Sequence, residues 1–180
     1  MANFGSCIEW VLRLEDRTLA GNTVDLKDGA GLTRLGVTQK NCPSLPSNYW
    51  EDTIAGPRMS NADALEEAKQ IYYTRYWTPI RGVQLTSDEL AATLLSFAIN
   101  EGVGEAVKLL QGCMGLGQDG VFGPETLIAT NAHDGATLAA MLRDAQEEHY
   151  LAIEKAVPAD VRFDGGWRKR AYAHYPDLPS

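Results

Sequence analysis

Apolar side chains at helical spacing run through nearly all of the chain after residue 60, so helices must form most of the core. These side chains recur three and four residues apart, which places them on one face of each helix. The stripe of the first helical segment comprises Leu65, Ala68, Tyr72 and Tyr76. The next segment, residues 86–102, is apolar around most of its circumference, which predicts a central helix that ends at Gly102.

Residues that favour helix starts mark the other helices. Ser60 followed by Asp63 resembles a capping box, and Pro124 suits the first position of a helix. A short helix is predicted for residues 105–111, and a long one begins at Thr137.

A small β-ribbon is predicted between these segments and the first helix, which lies at the start of the chain and contains residues 4–12. Two short runs, residues 23–26 and 32–38, are separated by a glycine-rich turn at residues 28–31. Alternation in the second run puts Thr33, Leu35 and Val37 on one face. We therefore expect a mainly helical α+β fold, and the length of 180 residues suits a single domain, residues 1–180.

Composition and charge exclude several classes of function. The formal net charge of -8 argues against nucleic acid, whose binding depends on neutralising phosphates. Every apolar stretch is far shorter than the roughly 20 residues that span a bilayer. Residues 1–10 lack the features of a secretory signal, so we expect synthesis in the cytoplasm and another route to any external substrate.

Cysteine and histidine usage gives no indication of a metal or cofactor. The cysteines are odd in number and lack metal-type spacing, so we expect reduced thiols at Cys7, Cys42 and Cys113. The histidines show no ligand spacing, and the sequence contains no phosphate-binding loop. We expect no metal and no cofactor.

A glutamate extends the apolar stripe of the first helix. That stripe comprises Phe4, Ile8, Val11 and Leu12. The next position on the same face is Glu15, and burial of a charged carboxylate there is costly. Because desolvation favours the protonated form of a carboxyl, Glu15 is a candidate proton donor.

Polar side chains on the ribbon complete a candidate site for glycoside hydrolysis. This reaction needs a proton donor together with a nucleophile or a held water. Asp25, Asp28 and Thr33 follow the first helix closely and can supply the second function. Spacing alone fits equally well with Glu15 as an ordinary helix end and the ribbon as a surface loop.

Ordered motifs over almost the whole chain resemble glycoside hydrolase family 108, the bacterial and phage muramidases of the lysozyme superfamily. Leu14-Glu15 and the later run D-G-A-G-L-T-R-L-G-V-T are similar to the family's catalytic Glu and its D-P-G-G-x-T-x-x-G-I-T motif. Further matches occur, in the same order, at residues 68–77, 97–102, 110–111, 119–126 and 163–170.

The resemblance implies a lysozyme-like fold that cleaves the β-1,4 bond between N-acetylmuramic acid and N-acetylglucosamine. It makes Glu15 the general acid and places Asp28 and Thr33 among the cleft-lining polar residues. It divides the domain into residues 1–100, with the catalytic helix, ribbon and central helix, and residues 101–180, with a peptidoglycan-binding-like motif. The chain departs from the family in having Asp16 and Arg17 where Gly-Gly is usual.

Five further residues are expected to bind substrate: Asp25, Tyr49, Trp50, Asn100 and Glu101. Tyr49 and Trp50 are the better sugar-stacking candidates because they lie in an irregular loop. Asn100 suits a sugar contact or a bond to its own helix equally well. Glu101 is an alternative acid, although Gly102 also explains it as a solvated helix end.

Two other sets of residues favour a structural interpretation over a functional one. Trp77 and Trp167 are expected in the core, as large aromatic residues usually are. Residues 119–126 are expected to form a structural turn that leads into a helix.

The expected partner is the glycan strand of peptidoglycan, and the expected state is a monomer. The absent signal fits a phage endolysin released through a holin, a virion-associated enzyme, or an effector delivered by a secretion system. An effector would require an immunity or inhibitor protein. A non-catalytic peptidoglycan-binding module, a lytic transglycosylase and a chitinase on the same fold remain alternatives.

Overall fold

A computed structural model describes residues 1–15, 18–25, 27, 29–54, 56–156 and 173–177. In this part of the chain six α-helices accompany one antiparallel sheet of three short strands. The helices are α1 (Phe4–Glu15), α2 (Asn61–Tyr72), α3 (Asp88–Glu101), α4 (Val103–Cys113), α5 (Pro124–Ala132) and α6 (Gly135–Ala156). The strands are β1 (Val24–Asp25), β2 (Leu32–Arg34) and β3 (Val37–Thr38). The predicted mainly helical α+β fold with a ribbon after the first helix is confirmed.

Helix α3 is the centre of the core, as predicted. Every side chain from Leu90 to Ala98 is buried, and the helix packs against α1, α4 and α6. The Ser87 hydroxyl accepts a hydrogen bond from the Leu90 amide and caps its start. At its end Gly102 has a φ of 89°, a conformation that favours glycine.

Helices α1 and α3 begin side by side and run in the same direction. The Asn3 amide donates to Asp88 Oδ1 at 2.7 Å, and Cys7 Sγ lies 3.6 Å from the Asp88 carbonyl oxygen. These bonds join the first turns of the two helices, which pack together beyond that point. Their C-terminal ends therefore lie at the same end of the core.

Helix α6 follows α3 in the same direction. Its first residue, Gly135, is so close to Ser87 that an added Cβ would lie 2.3 Å from the serine Cβ. Two turns before the end of α6, the rings of His149 and Tyr150 contact Phe97 near the end of α3. The last turn of α3 is therefore flanked by a polar part of α6.

The predicted starts of α2 and α5 are found in the structure, whereas α4 and α6 each begin two residues before the predicted positions 105 and 137. Ser60 accepts a hydrogen bond from the Asp63 amide at the start of α2, and Pro124 occupies the first turn of α5. Helix α2 continues into a π-helical segment, Tyr73–Trp77, and Trp77 is fully buried as expected. Trp167 lies outside the described residues.

The ribbon differs from the prediction in one respect, because the run at residues 32–38 is two strands and not one. Leu35 and Gly36 form a tight turn between β2 and β3, with φ values of 51° and 74°. Positive φ at both positions is the conformation that two-residue hairpins favour. The expected alternation of Thr33, Leu35 and Val37 on one face is therefore wrong. A Cβ on Gly36 would lie 2.3 Å from the Tyr72 hydroxyl, which donates to the Leu35 carbonyl.

Arg34 ties the ribbon to the rest of the molecule and is fully buried. Its guanidinium donates to the carbonyl oxygens of Gly21 at 2.9 Å, Tyr49 at 2.6 Å and Met59 at 3.0 Å. It also donates to Asn61 Oδ1, at the start of α2, at 2.5 Å. Burial is the main cause that lowers the pKa of Arg34, and the nearby charge of Arg58 adds to it.

The cysteines of the described part are free thiols, as predicted. No helix among the described residues combines the length and the apolar character needed to cross a membrane.

We predict that Arg34→Met lowers the free energy of unfolding by about 3 kcal/mol or more. The substitution keeps an apolar stem but leaves four buried or half-buried oxygens without their donor, and each such loss costs about 1–3 kcal/mol. Urea unfolding followed by circular dichroism measures the change. Arg75→Met is the matched control, since Arg75 is exposed and donates to the Asn41 carbonyl, and it should change the value by less than about 0.5 kcal/mol. Equal effects of both variants would contradict the role given to Arg34.

Candidate active site

Glu15 is the last residue of α1, at the end of the core where α3 also ends. The preceding residue, Leu14, is 3% exposed, so the helix is packed against the core up to its last turn. Glu15 and Asn100 each lie 12 residues beyond the paired residues Asn3 and Asp88. At about 1.5 Å per helical residue, both are roughly 18 Å along parallel helices. The backbone of Glu15 is therefore level with the end of α3, and its side chain lies outside the described part of the structure.

Thr33 occupies the central strand of the ribbon and pairs with Val24 on one side and Thr38 on the other. Its Oγ1 atom is buried and has no hydrogen-bond partner among the described residues. Buried polar atoms in folded proteins nearly always have a partner, so an unpaired one calls for an explanation. A bound water or a substrate hydroxyl would supply the missing partner.

Asp25 lies on the exposed edge strand and is held by its neighbour Lys27. Its carboxylate accepts bonds from the Lys27 ammonium at 2.8 Å and from the Lys27 amide at 2.9 Å. The hydrogen bond from the Lys27 side chain, and then the one from the Lys27 backbone amide, lower the pKa of Asp25. The residue is therefore a carboxylate at neutral pH, suited to accepting hydrogen bonds or a proton. Asp28 lies outside the described residues.

Tyr49 and Trp50 lie in the core, so the expectation that they offer ring faces to a sugar is wrong for this structure. They are 0% and 3% exposed. The Trp50 indole donates to the Val37 carbonyl, and the Tyr49 ring lies beneath the Arg34 guanidinium at 5.7 Å. The irregular loop therefore folds inwards, and its aromatic residues support the ribbon.

Asn100 and Glu101 close α3 in different ways. The Asn100 amide donates to the Ser96 carbonyl of its own helix at 3.0 Å, which corresponds to the structural alternative considered for it. Glu101 is only 21% exposed at its side chain, and its Oε2 lies 3.7 Å from His149 Nε2. It is thus a partly buried acidic residue that faces a histidine, and not a freely solvated helix end.

His149, which the sequence reasoning did not select, lies beside the candidate residue Glu101. Its Nδ1 lies 3.9 Å from Glu105 Oε1, so the ring stands between two glutamates from α3 and α4. The signal was the same as for Glu15, a polar residue on the apolar stripe of a helix. In the described part of the chain no group of three or more His, Cys, Asp and Glu side chains is arranged to hold a metal ion.

Residues 119–126 form the structural turn that was favoured for them. The buried Gln111 amide donates to Asp119 Oδ1 at 2.7 Å and to Thr126 Oγ1 at 3.1 Å. Its carbonyl oxygen accepts a bond from the Gly120 amide at 3.0 Å. These bonds fix the turn between α4 and α5.

Comparison with known proteins assigns the two parts of the chain to two family models. The model of Glycosyl hydrolase 108 matches residues 8–102, which include the end of α1, the ribbon and α3. A second model, described as a predicted peptidoglycan domain, matches residues 105–172. None of the curated protein sequences matches the chain.

A solved structure shares the fold of this chain over nearly the whole length of both proteins. It is described as the structure of Brucella abortus SagA and is 29% identical to this chain. The match covers 97% of this chain and 96% of that one, with a TM-score of 0.66.

We predict that Thr33→Val leaves the free energy of unfolding within about 0.5 kcal/mol of the wild-type value or raises it. The change keeps the side-chain shape and removes a buried hydroxyl that has no partner, so no hydrogen bond is lost. Thr130→Val is the matched control, because the buried Thr130 hydroxyl donates to the Thr126 carbonyl at 2.7 Å. That variant should lose about 1 kcal/mol. If urea unfolding shows the larger loss at Thr33, its hydroxyl is part of the folded scaffold.

Proposed function

The chain belongs to the glycosyl hydrolase 108 family, and we propose that it is a muramidase with Glu15 as its general acid. It is a peptidoglycan hydrolase. The bond proposed for cleavage is the β-1,4 linkage between N-acetylmuramic acid and N-acetylglucosamine. The single observation that carries the proposal is that the family match spans the end of α1 and the ribbon, where the sequence places the acid and its polar partners.

The position of Glu15 at the end of α1 suits a proton donor. The C-terminal end of a helix carries partial negative charge, which disfavours a carboxylate relative to its acid form. Val11 and Leu12, which lie one turn before Glu15 on the same face of the helix, are buried, so this face adjoins the apolar core. Both effects favour a carboxyl that holds its proton until the leaving oxygen of the sugar receives it.

The ribbon is proposed to hold the attacking water. The Thr33 hydroxyl is buried and without a partner among the described residues, so it has a hydrogen bond to offer to a water. Asp28 is proposed to act with Thr33, and Asp25 is proposed to contact the sugar as a carboxylate. The rigid anchoring of β2 through Arg34 would hold this water in a fixed place.

Asn100 and Glu101 are proposed to contact the substrate from the α3 side of the site, opposite the ribbon. Both lie at the end of α3, level with Glu15 along the helix pair. The partly buried Glu101 carboxylate can accept bonds from sugar hydroxyls while His149 limits its movement. Tyr49 and Trp50 would contribute indirectly, through the ribbon that they support.

The two parts of the domain are proposed to have different functions, catalysis and wall binding. Residues 1–100 would carry the catalytic helix, ribbon and central helix, and residues 101–180 would bind the wall. The enzyme acts on the cell wall. We propose that it works as a monomer and reaches the wall by holin-mediated release or through a secretion system, in the latter case with an immunity protein as partner.

We predict that Glu15→Gln keeps the fold and lowers wall hydrolysis by about 100-fold to 10,000-fold. The amide preserves the size of the side chain but cannot deliver the proton, and general acid catalysis contributes a factor of this order. The clearing of purified peptidoglycan sacculi measures the activity, and circular dichroism measures the fold.

Glu9→Gln is the matched control for Glu15→Gln. Glu9 lies on the solvent side of the same helix, where it pairs with Arg13 at 2.8 Å. Its loss removes the same charge and should leave activity within about twofold of wild type. Near wild-type activity of Glu15→Gln would remove Glu15 from the mechanism and shift the assignment towards Glu101.

We predict net hydrolysis with inversion of the anomeric carbon. A water held by Thr33 and Asp28 attacks from the face opposite the bond that Glu15 protonates, without a covalent glycosyl intermediate. NMR of freshly cleaved oligosaccharide should therefore show the α-anomer first. Initial β-anomer would establish retention, and an anhydromuramic end would establish a lytic transglycosylase.

A further inference from the structure

A cavity of about 530 Å³ opens beside the structural turn between α4 and α5. Its walls come from the end of α4, from residues 116–123 and from the first turn of α5. None of the lining residues belongs to α1, α3 or the ribbon, so the cavity is a separate feature from the proposed catalytic site. Its size falls in the range of about 300–1,000 Å³ that is usual for ligand sites.

The walls of this cavity are fixed before any ligand arrives. Gln111, 2% exposed, is one of the lining residues and makes hydrogen bonds with Asp119, Gly120, Val121 and Thr126. The Asp119 carboxylate also accepts a bond from the Val121 amide at 2.9 Å. A site ordered in this way loses little conformational entropy on binding.

The charge of the lining selects between the two chemical parts of peptidoglycan. Among the described residues the lining carries the carboxylates of Asp119 and Glu125 and contains no Lys, Arg or His. The hydrogen bond from the Val121 backbone amide, and then the one from the Gln111 side chain, lower the pKa of Asp119. Its carboxylate is therefore negative at neutral pH. A stem peptide whose carboxylates outnumber its amino groups would be repelled, whereas neutral sugars carry hydroxyl donors whose hydrogen bonds carboxylates accept.

The rest of the lining also suits a sugar ring. Leu116, Val121 and Pro124 give the cavity an apolar side, and Val121 is 62% exposed although it is apolar. The Gln118 side chain adds an amide that can both donate to and accept from an acetamido group. Apolar surface combined with a few polar groups is the usual composition of small-ligand sites.

We propose that this cavity binds N-acetylhexosamine units of the glycan strand, as a second saccharide site beside the catalytic one. The proposal rests on the proposed function, since it takes the same glycan as the substrate. A second site on one strand raises the effective concentration of glycan at the first. The cavity therefore gives the wall-binding part of the chain a defined place and a defined ligand.

The structure offers two glycines for blocking the cavity without strain. Gly117 and Gly123 line it, and a Cβ added to either meets no atom within 4 Å. Gly123 has a φ of -79°, which any residue adopts. Gly104 on α4 is the matched control, because its added Cβ is equally free and it does not line the cavity. The three variants are Gly117→Leu, Gly123→Leu and Gly104→Leu.

The test is an NMR titration of the full chain with tetra-N-acetylchitotetraose, in a Glu15→Gln background that prevents cleavage. We expect the amide signals of Gln118, Gly120 and Glu125 to shift in the parent and in Gly104→Leu. Gly117→Leu and Gly123→Leu should weaken this binding at least about tenfold, which corresponds to about 1.4 kcal/mol. Glu125→Gln should weaken it as well, whereas Glu148→Gln, which removes an exposed charge on α6, should not.

Two results would overturn the proposal. One is the absence of shifts at these amides with the oligosaccharide. The other is shifts caused by a soluble stem peptide alone, which would make the cavity a peptide site. Failure of the catalytic proposal is a separate observation, because it would be seen as wall hydrolysis by Glu15→Gln whatever the titration shows.

Discussion

The buried guanidinium of Arg34 is the interaction on which the geometry of the candidate site depends. A three-stranded ribbon of two- and three-residue strands cannot hold itself in place, because so few ladder bonds form. To the apolar packing of Tyr49 and Trp50 against the ribbon, Arg34 adds four hydrogen bonds to segments before and after it, among them one to Asn61 at the start of α2. Since Thr33 is the adjacent residue on β2, the position of its hydroxyl is fixed through the same contacts.

A second constraint is the shared direction of α1, α3 and α6. The bond between Asn3 and Asp88 sets the two helix starts together, so equal numbers of residues bring Glu15 and Asn100 to the same level. Parallel neighbours place partial charges of the same sign side by side, which is less favourable than antiparallel packing. The extensive burial of α3 offsets this cost, and the end of the core gains polar groups, with His149 between two glutamates.

Sequence reasoning predicted the helices well because their signals are local. Ser60 at the start of α2 and Gly102 at the end of α3 act through bonds or φ angles within a few residues. The predictions failed where the decisive contact is distant in sequence. The turn at Leu35 depends on a hydroxyl from Tyr72, and the inward position of Tyr49 depends on Arg34, neither of which periodicity can reveal. Of the site, the placement of Glu15 at the end of a packed helix followed from spacing.

The negative net charge of the chain and the anionic wall are compatible if recognition relies on the neutral part of the polymer. Long-range repulsion between exposed charges is screened within about 8–10 Å at physiological ionic strength, so it affects the approach of the enzyme more than the contact. At contact, the carboxylates of Asp25 and Asp119 are held negative by their own hydrogen bonds, and both can accept bonds from sugar hydroxyls. An acidic surface then disfavours stem-peptide carboxylates while leaving the glycan attractive. Acidity in this chain is therefore consistent with selecting the sugar backbone over the peptides attached to it.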